Sequence, residues 1–284
     1  MFSPKRDETR PGYEMRKEHI AIGVMILLCL PILAIYVTFF AQAFVADGKL
    51  SLSNFRFLYT TIVMGQYTVP AMGPAFRNTV IFTLCVTACE VVISLMAGYA
   101  LSRMRFTGRN FLQKLLLILR LFPGVLLLIS ILYVLMYTKL LNTLLGVVLV
   151  AIALRLPGSN FIIRNFFNDI PKDIENSALV DGRKRLTAFL QAIIHMVTPG
   201  IESISVFAFM SAWSNYLLFN TLILTGKVPI MATYLRSLSM NDQMIDDYGV
   251  FTAMALVYKP PVFVFFIIST QSLMKGGFSG GKGI

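Results

Sequence analysis

The sequence predicts an all-α membrane protein with six transmembrane helices, and three observations carry that prediction. Of 284 residues, 56% are hydrophobic and only 14% are charged, too few charges to clothe a water-soluble domain of that size. The apolar residues gather in six blocks, each at least as long as the run of about 20 needed to cross the hydrocarbon core as a helix. The basic residues fall mostly in alternate connections between those blocks, as the positive-inside rule requires of a polytopic chain.

The elements follow in chain order. Residues 1–19 form a charged N-terminal segment. Residues 20–75 hold the first block, Ile20 to Ala46, and an external connection. That block is too long for the apolar core of a signal peptide and shows no convincing cleavage site, so it is expected to stay as a span. Within Asp47 to Ala75, "KLSLSNFRFLY" is expected to lie as a short amphipathic helix on the membrane surface. Residues 76–274 form the main transmembrane domain, with spans at Phe76 to Leu101, Phe111 to Tyr137, Leu144 to Phe166, Ile193 to Leu224 and Val250 to Met274. The fifth block exceeds one crossing, so part of it should tilt or leave the core. Pro123, Pro157, Pro260 and Pro261 predict kinks, because each lacks a backbone N–H. Thr225 to Gly249, with Asp242, Asp246 and Asp247, reads as a polar external connection, and 275–284 as a flexible tail. Cys29, Cys85 and Cys89 sit inside apolar blocks and are expected as small buried residues without disulfides. No internal repeat or second soluble domain is visible.

Charge orients the chain. The N-terminus, the Ser102–Asn110 and Arg164–Gln191 connections and the C-terminal tail, with the flanking helix ends, share sixteen Lys and Arg, against six on the opposite side. The first side is therefore expected in the cytoplasm, both termini included. On this reading the net charge of +11 reflects membrane orientation and implies no nucleic-acid partner.

One cytoplasmic stretch, "IPKDIENSALVDGRKRLTAFL" (Ile170 to Leu190), is charged and helix-compatible between apolar blocks. Pro171 starts a helix well, and Asp173 and Glu175 suit its positive end. Gly182 can adopt positive φ and stop it. Leu186, Phe189, Ile193 and Ile194 then recur at helical spacing. The prediction is helix, sharp turn, helix.

This stretch resembles the EAA loop of binding-protein-dependent ABC importer permeases, I-P-x-x-[LI]-E-E-A-A-x-x-D-G. It is closest to the carbohydrate branch typified by the smaller permease of the maltose transporter. Ile170, Pro171, Glu175, Ala178, Asp181, Gly182, Phe189 and Pro199 match. Asn176 stands where the family has glutamate, Ser177 where it has alanine and His195 where it has proline. "FRNTVIFTLCVTACEVVISLMAGYALSRMRFTGRN", "FMSAWSNYLL" and "QSLMKGGFSGGKGI" resemble further family segments in the same order. The resemblance implies a type I ABC importer permease fold, with a coupling loop at 168–191 docked on a separate ATPase. Glu175, Asn176, Ser177, Ala178, Asp181, Gly182 and Phe189 would form that docking surface. The implied partners are a second permease, two ATPase subunits, an extracytoplasmic solute-binding protein and a carbohydrate, all in a bacterial inner membrane and its lipid. This chain would hold no cofactor, ATP and magnesium belonging to the ATPases.

Other motifs are weaker. Gly276 to Lys282 matches the spacing of a phosphate loop, but Gly283 follows where Ser or Thr is required and no strand is predicted before it. His19 and His195 lack ligand-spaced companions, so no metal site is expected, and no catalytic grouping supports an enzyme. Glu90, Arg120, Arg155, Glu202 and Lys259 lie within or near the spans, where lipid exposure costs at least about 2.5–3.5 kcal/mol at the bilayer centre. They are expected to pair, Glu90 with Arg120 for example, or to line a translocation path. In the path, the excess of positive charge would favour an anionic saccharide. An ion-coupled secondary transporter using Glu90 and Glu202 is the alternative reading.

Overall fold

The structure, a computed structural model, describes residues 11–46, 48–64, 67–180, 182, 184–239 and 248–279. The chain starts with α1 (Pro11–Phe44), of which His19–Phe44 is apolar enough to cross a membrane. Two short antiparallel ribbons follow, β1 (Val45–Ala46) with β2 (Lys49–Leu50), then β3 (Ile62–Met64) with β4 (Tyr67–Val69). Between them a 3₁₀ turn spans Ser53–Leu58. This segment is not the surface helix its amphipathic pattern predicts. Phe57 is fully buried beside Tyr234, and Asn54 is buried too. The Asn54 Nδ2 lies 3.0–3.2 Å from the carbonyl oxygens of Gln42, Ala43 and Val45, satisfying groups that the end of α1 leaves open. Asn54→Leu should cost about 1–3 kcal/mol through those orphaned carbonyls, read as a lower Tm in detergent. Gly249→Ala should act alike from the opposite side, because its Cβ would stand 2.4 Å from Asn54 Nδ2.

The central helix is α2 (Gly73–Arg103, 31 residues). At 1.5 Å per residue it is about 46 Å long, longer than a hydrocarbon core of about 30 Å. It packs along α5 (Leu144–Asp169), reached through α3 (Arg109–Leu121) and α4 (Gly124–Tyr137). At Gly98 a Cβ would meet Ile163 at 2.6 Å; glycine lets the two helices approach closely there, as small residues do in membrane bundles. The expected third span is in fact two helices bent by 105°. Pro123 supplies no N–H, and Phe122 before it takes the extended conformation (φ −78°, ψ 127°) that a following proline enforces. Pro157, by contrast, sits inside an unbroken α5.

After α5 come α6 (Lys172–Val180), α7 (Arg185–Ala188), a π-helical turn over Phe189–Ile193 and α8 (Ile194–Met196). The fifth crossing is a second bent pair, Arg185–Met196 followed by α9 (Thr198–Trp213), turned by 76° between them. It stops at Trp213, and Asn215 caps α10 (Tyr216–Leu222) by accepting from Leu218 N at 3.3 Å. Next is α11 (Met231–Ser239). Asp242, Asp246 and Asp247 lie outside the described residues. The last span is α12 (Tyr248–Tyr258) followed by α13 (Pro260–Ser279), which starts on two prolines and runs past the expected end at Met274. Trp213 Nε1 donates to the Tyr258 carbonyl and the Tyr258 hydroxyl donates back to the Trp213 carbonyl, both at 3.1 Å, joining α9 to α12.

Among the described residues four continuous helices, or six crossings with each bent pair taken as one, are long and apolar enough to span. On α1 almost every large apolar side chain is exposed, as suits a helix whose solvent is lipid. Cys29, Cys85 and Cys89 are free thiols on such outward faces, not buried as expected.

Candidate functional site

The sequence predicts a helix–turn–helix between the fourth and fifth spans, and the structure has it. The first helix, α6, ends at Val180, and Gly182 takes φ +81°, a value costly for residues with a Cβ. Gly182→Pro demands φ near −65°. It is expected to leave membrane insertion intact and to abolish the coupled ATP hydrolysis that the resemblance of this loop implies, measured as phosphate release from the assembled complex in liposomes. Asp181 lies outside the described residues.

The loop is fastened to the inner ends of α2 and α5. Arg103 Nη2 donates to the carbonyls of Phe167 and Ile170, both at 2.6 Å, which satisfies the end of α5 with a cation at its negative pole. The Tyr99 hydroxyl donates to Glu175 Oε1 at 2.7 Å. Arg103 Nε stands 3.7 Å from Glu175 Oε2, with both side chains under a tenth exposed. That distance is too long for a hydrogen bond, so this contact is electrostatic. Ser102 donates to Asn168 Oδ1 at 2.6 Å, while Arg109 and Gln113 cover the last carbonyls of α2. Below this latch, Phe189 packs against Tyr99 and Phe167, with ring centroids 4.7 and 6.1 Å apart.

Two of the expected docking residues turn toward the latch. Glu175 and Phe189 are buried against their own chain, because they lie on the face of the loop that meets Tyr99, Arg103 and Phe167. Asn176, Ser177 and Gly182 are exposed and Ala178 half-buried. Val180 and Leu186, which the motif does not single out, are 86% and 68% exposed. The available surface is thus small, polar and apolar side chains around a glycine turn, without a carboxylate from Glu175.

The intramembrane charges do not all converge. Glu90, fully buried on α2, pairs with Arg155 Nε at 2.9 Å and accepts from the Ser159 hydroxyl. The expected Glu90–Arg120 pair is absent: Arg120 instead lies over the Phe161 ring, 4.8 Å from its centroid. The reason is helical register, since Arg155 and Ser159 stand one turn apart on α5 and face α2 together. Arg120 and Arg155 do line one cavity of about 320 Å³, where the α3–α4 break meets Pro157. A smaller recess of about 60 Å³ adjoins Arg120 and Pro157 and adds Arg164, Gln113 and Asn160. Lys259 and Glu202 line neither. Lys259 Nζ sits 4.4 Å over the Tyr36 ring and 3.3 Å from its hydroxyl. Glu202 Oε2 is buried without a hydrogen-bond partner among the described residues. At the bundle end away from the loop, a cavity of about 630 Å³ is lined by Tyr234, Phe219 and Asn220. Burial pushes the Tyr234 phenol up to about 12, which keeps it neutral. Among the described residues no His, Cys, Asp and Glu grouping could hold a metal.

Comparison with known proteins decides what kind of machine carries this loop. Residues 90–272 match the family described as binding-protein-dependent transport system inner membrane component. The chain belongs to that family. It is a transport subunit and not an enzyme, and as an inner-membrane component with several apolar helices it is a multi-pass membrane protein. Similar relatives include the diacetylchitobiose uptake system permease protein DasC of Streptomyces coelicolor, 27% identical over 85% of this chain and 88% of that protein. The trehalose transport system permease protein SugB of Mycobacterium tuberculosis is 29% identical over 83% of this chain and 85% of its own. A chain in the crystal structure of a bacterial ABC transporter involved in the import of the acidic polysaccharide alginate superposes with a TM-score of 0.68. That match covers 90% of this chain and 97% of the other at 18% identity, which establishes the ABC importer permease fold.

Proposed function

We propose that this subunit forms half of the membrane pore of an ATP-driven importer for a saccharide. The observation that carries the reading is the coupling loop. Its inward face is bonded to α2 and α5 through Tyr99, Arg103 and Glu175, while Asn176, Ser177, Val180 and Leu186 face outward. A loop built so transmits a push instead of absorbing it. Two ATPase subunits, one on this loop, would close on ATP. The bound helices would then move as rigid bodies and exchange inward for outward access. A second permease completes the pore, and an extracytoplasmic binding protein delivers cargo to the face opposite the loop. Both termini lie in the cytoplasm, in accord with the sixteen to six division of Lys and Arg.

The similarity to permeases named for diacetylchitobiose and trehalose supports a carbohydrate cargo. Ion coupling through Glu90 is not supported, because that carboxylate is fixed by Arg155 and Ser159. The test is to copurify the chain with its ATPase and reconstitute the complex in liposomes with the binding protein. Saccharide uptake is expected only with hydrolysable ATP. Uptake that persists without ATP and collapses with an ion gradient would refute the proposal.

A further inference from the structure

We propose that the cavity shared by Arg120 and Arg155 receives the anionic group of an acidic saccharide, a reading that rests on the carbohydrate import proposed above. The cavity, about 320 Å³, is at the lower end of ligand cavities, roughly 300–1,000 Å³. It has room for part of an oligosaccharide.

Its hydrogen-bonding character is one-sided. Arg155 engages Glu90 through Nε, and among the described residues its terminal nitrogens find no acceptor. Arg120 has a ring contact with Phe161 but no hydrogen-bond acceptor and no carboxylate there. Ser159, the hydroxyl side chain in the lining, is committed to Glu90. The polar side chains facing the cavity therefore offer donors and hardly any free acceptor. A neutral sugar brings hydroxyl protons that need acceptors, which these side chains do not offer. A carboxylate brings acceptors alone, and planar guanidinium groups bind it in a charge-assisted, two-pronged way.

Charge agrees with this. Glu90 neutralises one of the two arginines and leaves one positive charge over. The 105° break brings two helix ends to the same cavity, the C-terminal turn of α3 with Leu119 and Arg120 and the N-terminus of α4 with Gly124. Their opposed dipole ends offset each other, so the excess charge comes from the guanidinium groups, and the Gly124 end of α4 adds N–H donors. Interrupted membrane helices point such ends at anionic substrate groups in other transporters. Arg164, whose Nε is buried without a partner, continues the cationic lining into the adjoining recess.

The experiment uses the complete transporter in liposomes, with a uronate tetrasaccharide and its carboxyl-reduced neutral counterpart as probes. ATP-dependent uptake of the uronate form is expected to exceed that of the neutral form about tenfold or more. Arg120→Gln should reduce uronate uptake at least tenfold, and Arg120→Lys should keep a substantial part of it, with both variants monodisperse and assembling with their partners as the wild type does. Uptake of the neutral form alone, or uronate uptake indifferent to Arg120→Gln, would overturn the anionic assignment while the import reading stands. Uptake of neither probe, with hydrolysis intact, would overturn both.

Discussion

Arg103→Met is expected to insert and to assemble, yet to lose most transport-linked ATP hydrolysis. Arg103 holds the Phe167 and Ile170 carbonyls at 2.6 Å and faces Glu175 across 3.7 Å with almost no solvent. Methionine fills much of the space but leaves a buried carboxylate without its countercharge. Breaking one side of such a pair costs about 3–5 kcal/mol. If the loop escapes that cost by swinging away from α2, its seated population falls by roughly a hundredfold or more. Tyr99→Phe removes one neutral donor to the same carboxylate and should act in the same direction but more weakly, by about 1.5 kcal/mol or roughly tenfold in the seated population. Limited trypsin digestion supplies a readout independent of activity. Cleavage at Lys184 and Arg185 should quicken in Arg103→Met, because a released loop exposes its backbone to the protease. Wild-type cleavage rates together with wild-type hydrolysis would remove the latch from the account.

The second large effect is expected at Glu90. Glu90→Ala strips a buried carboxylate that serves Arg155 and Ser159 at once, so a positive charge and a hydroxyl lose their partner between α2 and α5. The Arg155 side chain is 24% exposed, which places the cost at the lower end of the range for broken buried pairs, about 3 kcal/mol. Thermal unfolding in detergent should show a clear fall in Tm. The double variant Glu90→Leu with Arg155→Met should recover most of it, because an apolar pair of similar volume avoids the desolvation of both charges. A double variant as unstable as Glu90→Ala would mean that α2 and α5 depend on the ion pair itself.

The legible part of this molecule was whatever depends on one segment at a time. The apolar blocks mark the crossing helices, the Gly182 turn follows from its neighbours, and Pro123 announces a break. The size of that break was not legible, because a proline permits a bend and tertiary packing sets its angle. The same limit governs the side chains. Glu175 lies in a docking motif, and nothing local says that its carboxylate turns toward Tyr99, 76 positions earlier. Arg103 counts in sequence only as one more inside charge, and its two carbonyl bonds arise from the crossing of α2 and α5. Glu90 pairs with Arg155 and not with Arg120, because the rotation of α5 about its axis places Arg155 against α2, while Arg120 lies on α3 over the Phe161 ring. Likewise "SNFRF" is amphipathic in pattern. Burial of Asn54 and Phe57 follows from the end of α1 and from Tyr234, neither of them nearby in sequence to both.

The central claim is mechanical: the outer face of the 170–190 loop meets the ATPase while its inner face is locked to α2. A photo-crosslinking amino acid placed at Ser177, on the exposed face, tests this most directly, with Ile193 on the buried face as the paired control. In the assembled transporter, irradiation should join the ATPase to this chain from position 177, and from position 193 give no product with it. An ATPase adduct at 193 with none at 177 would contradict the account.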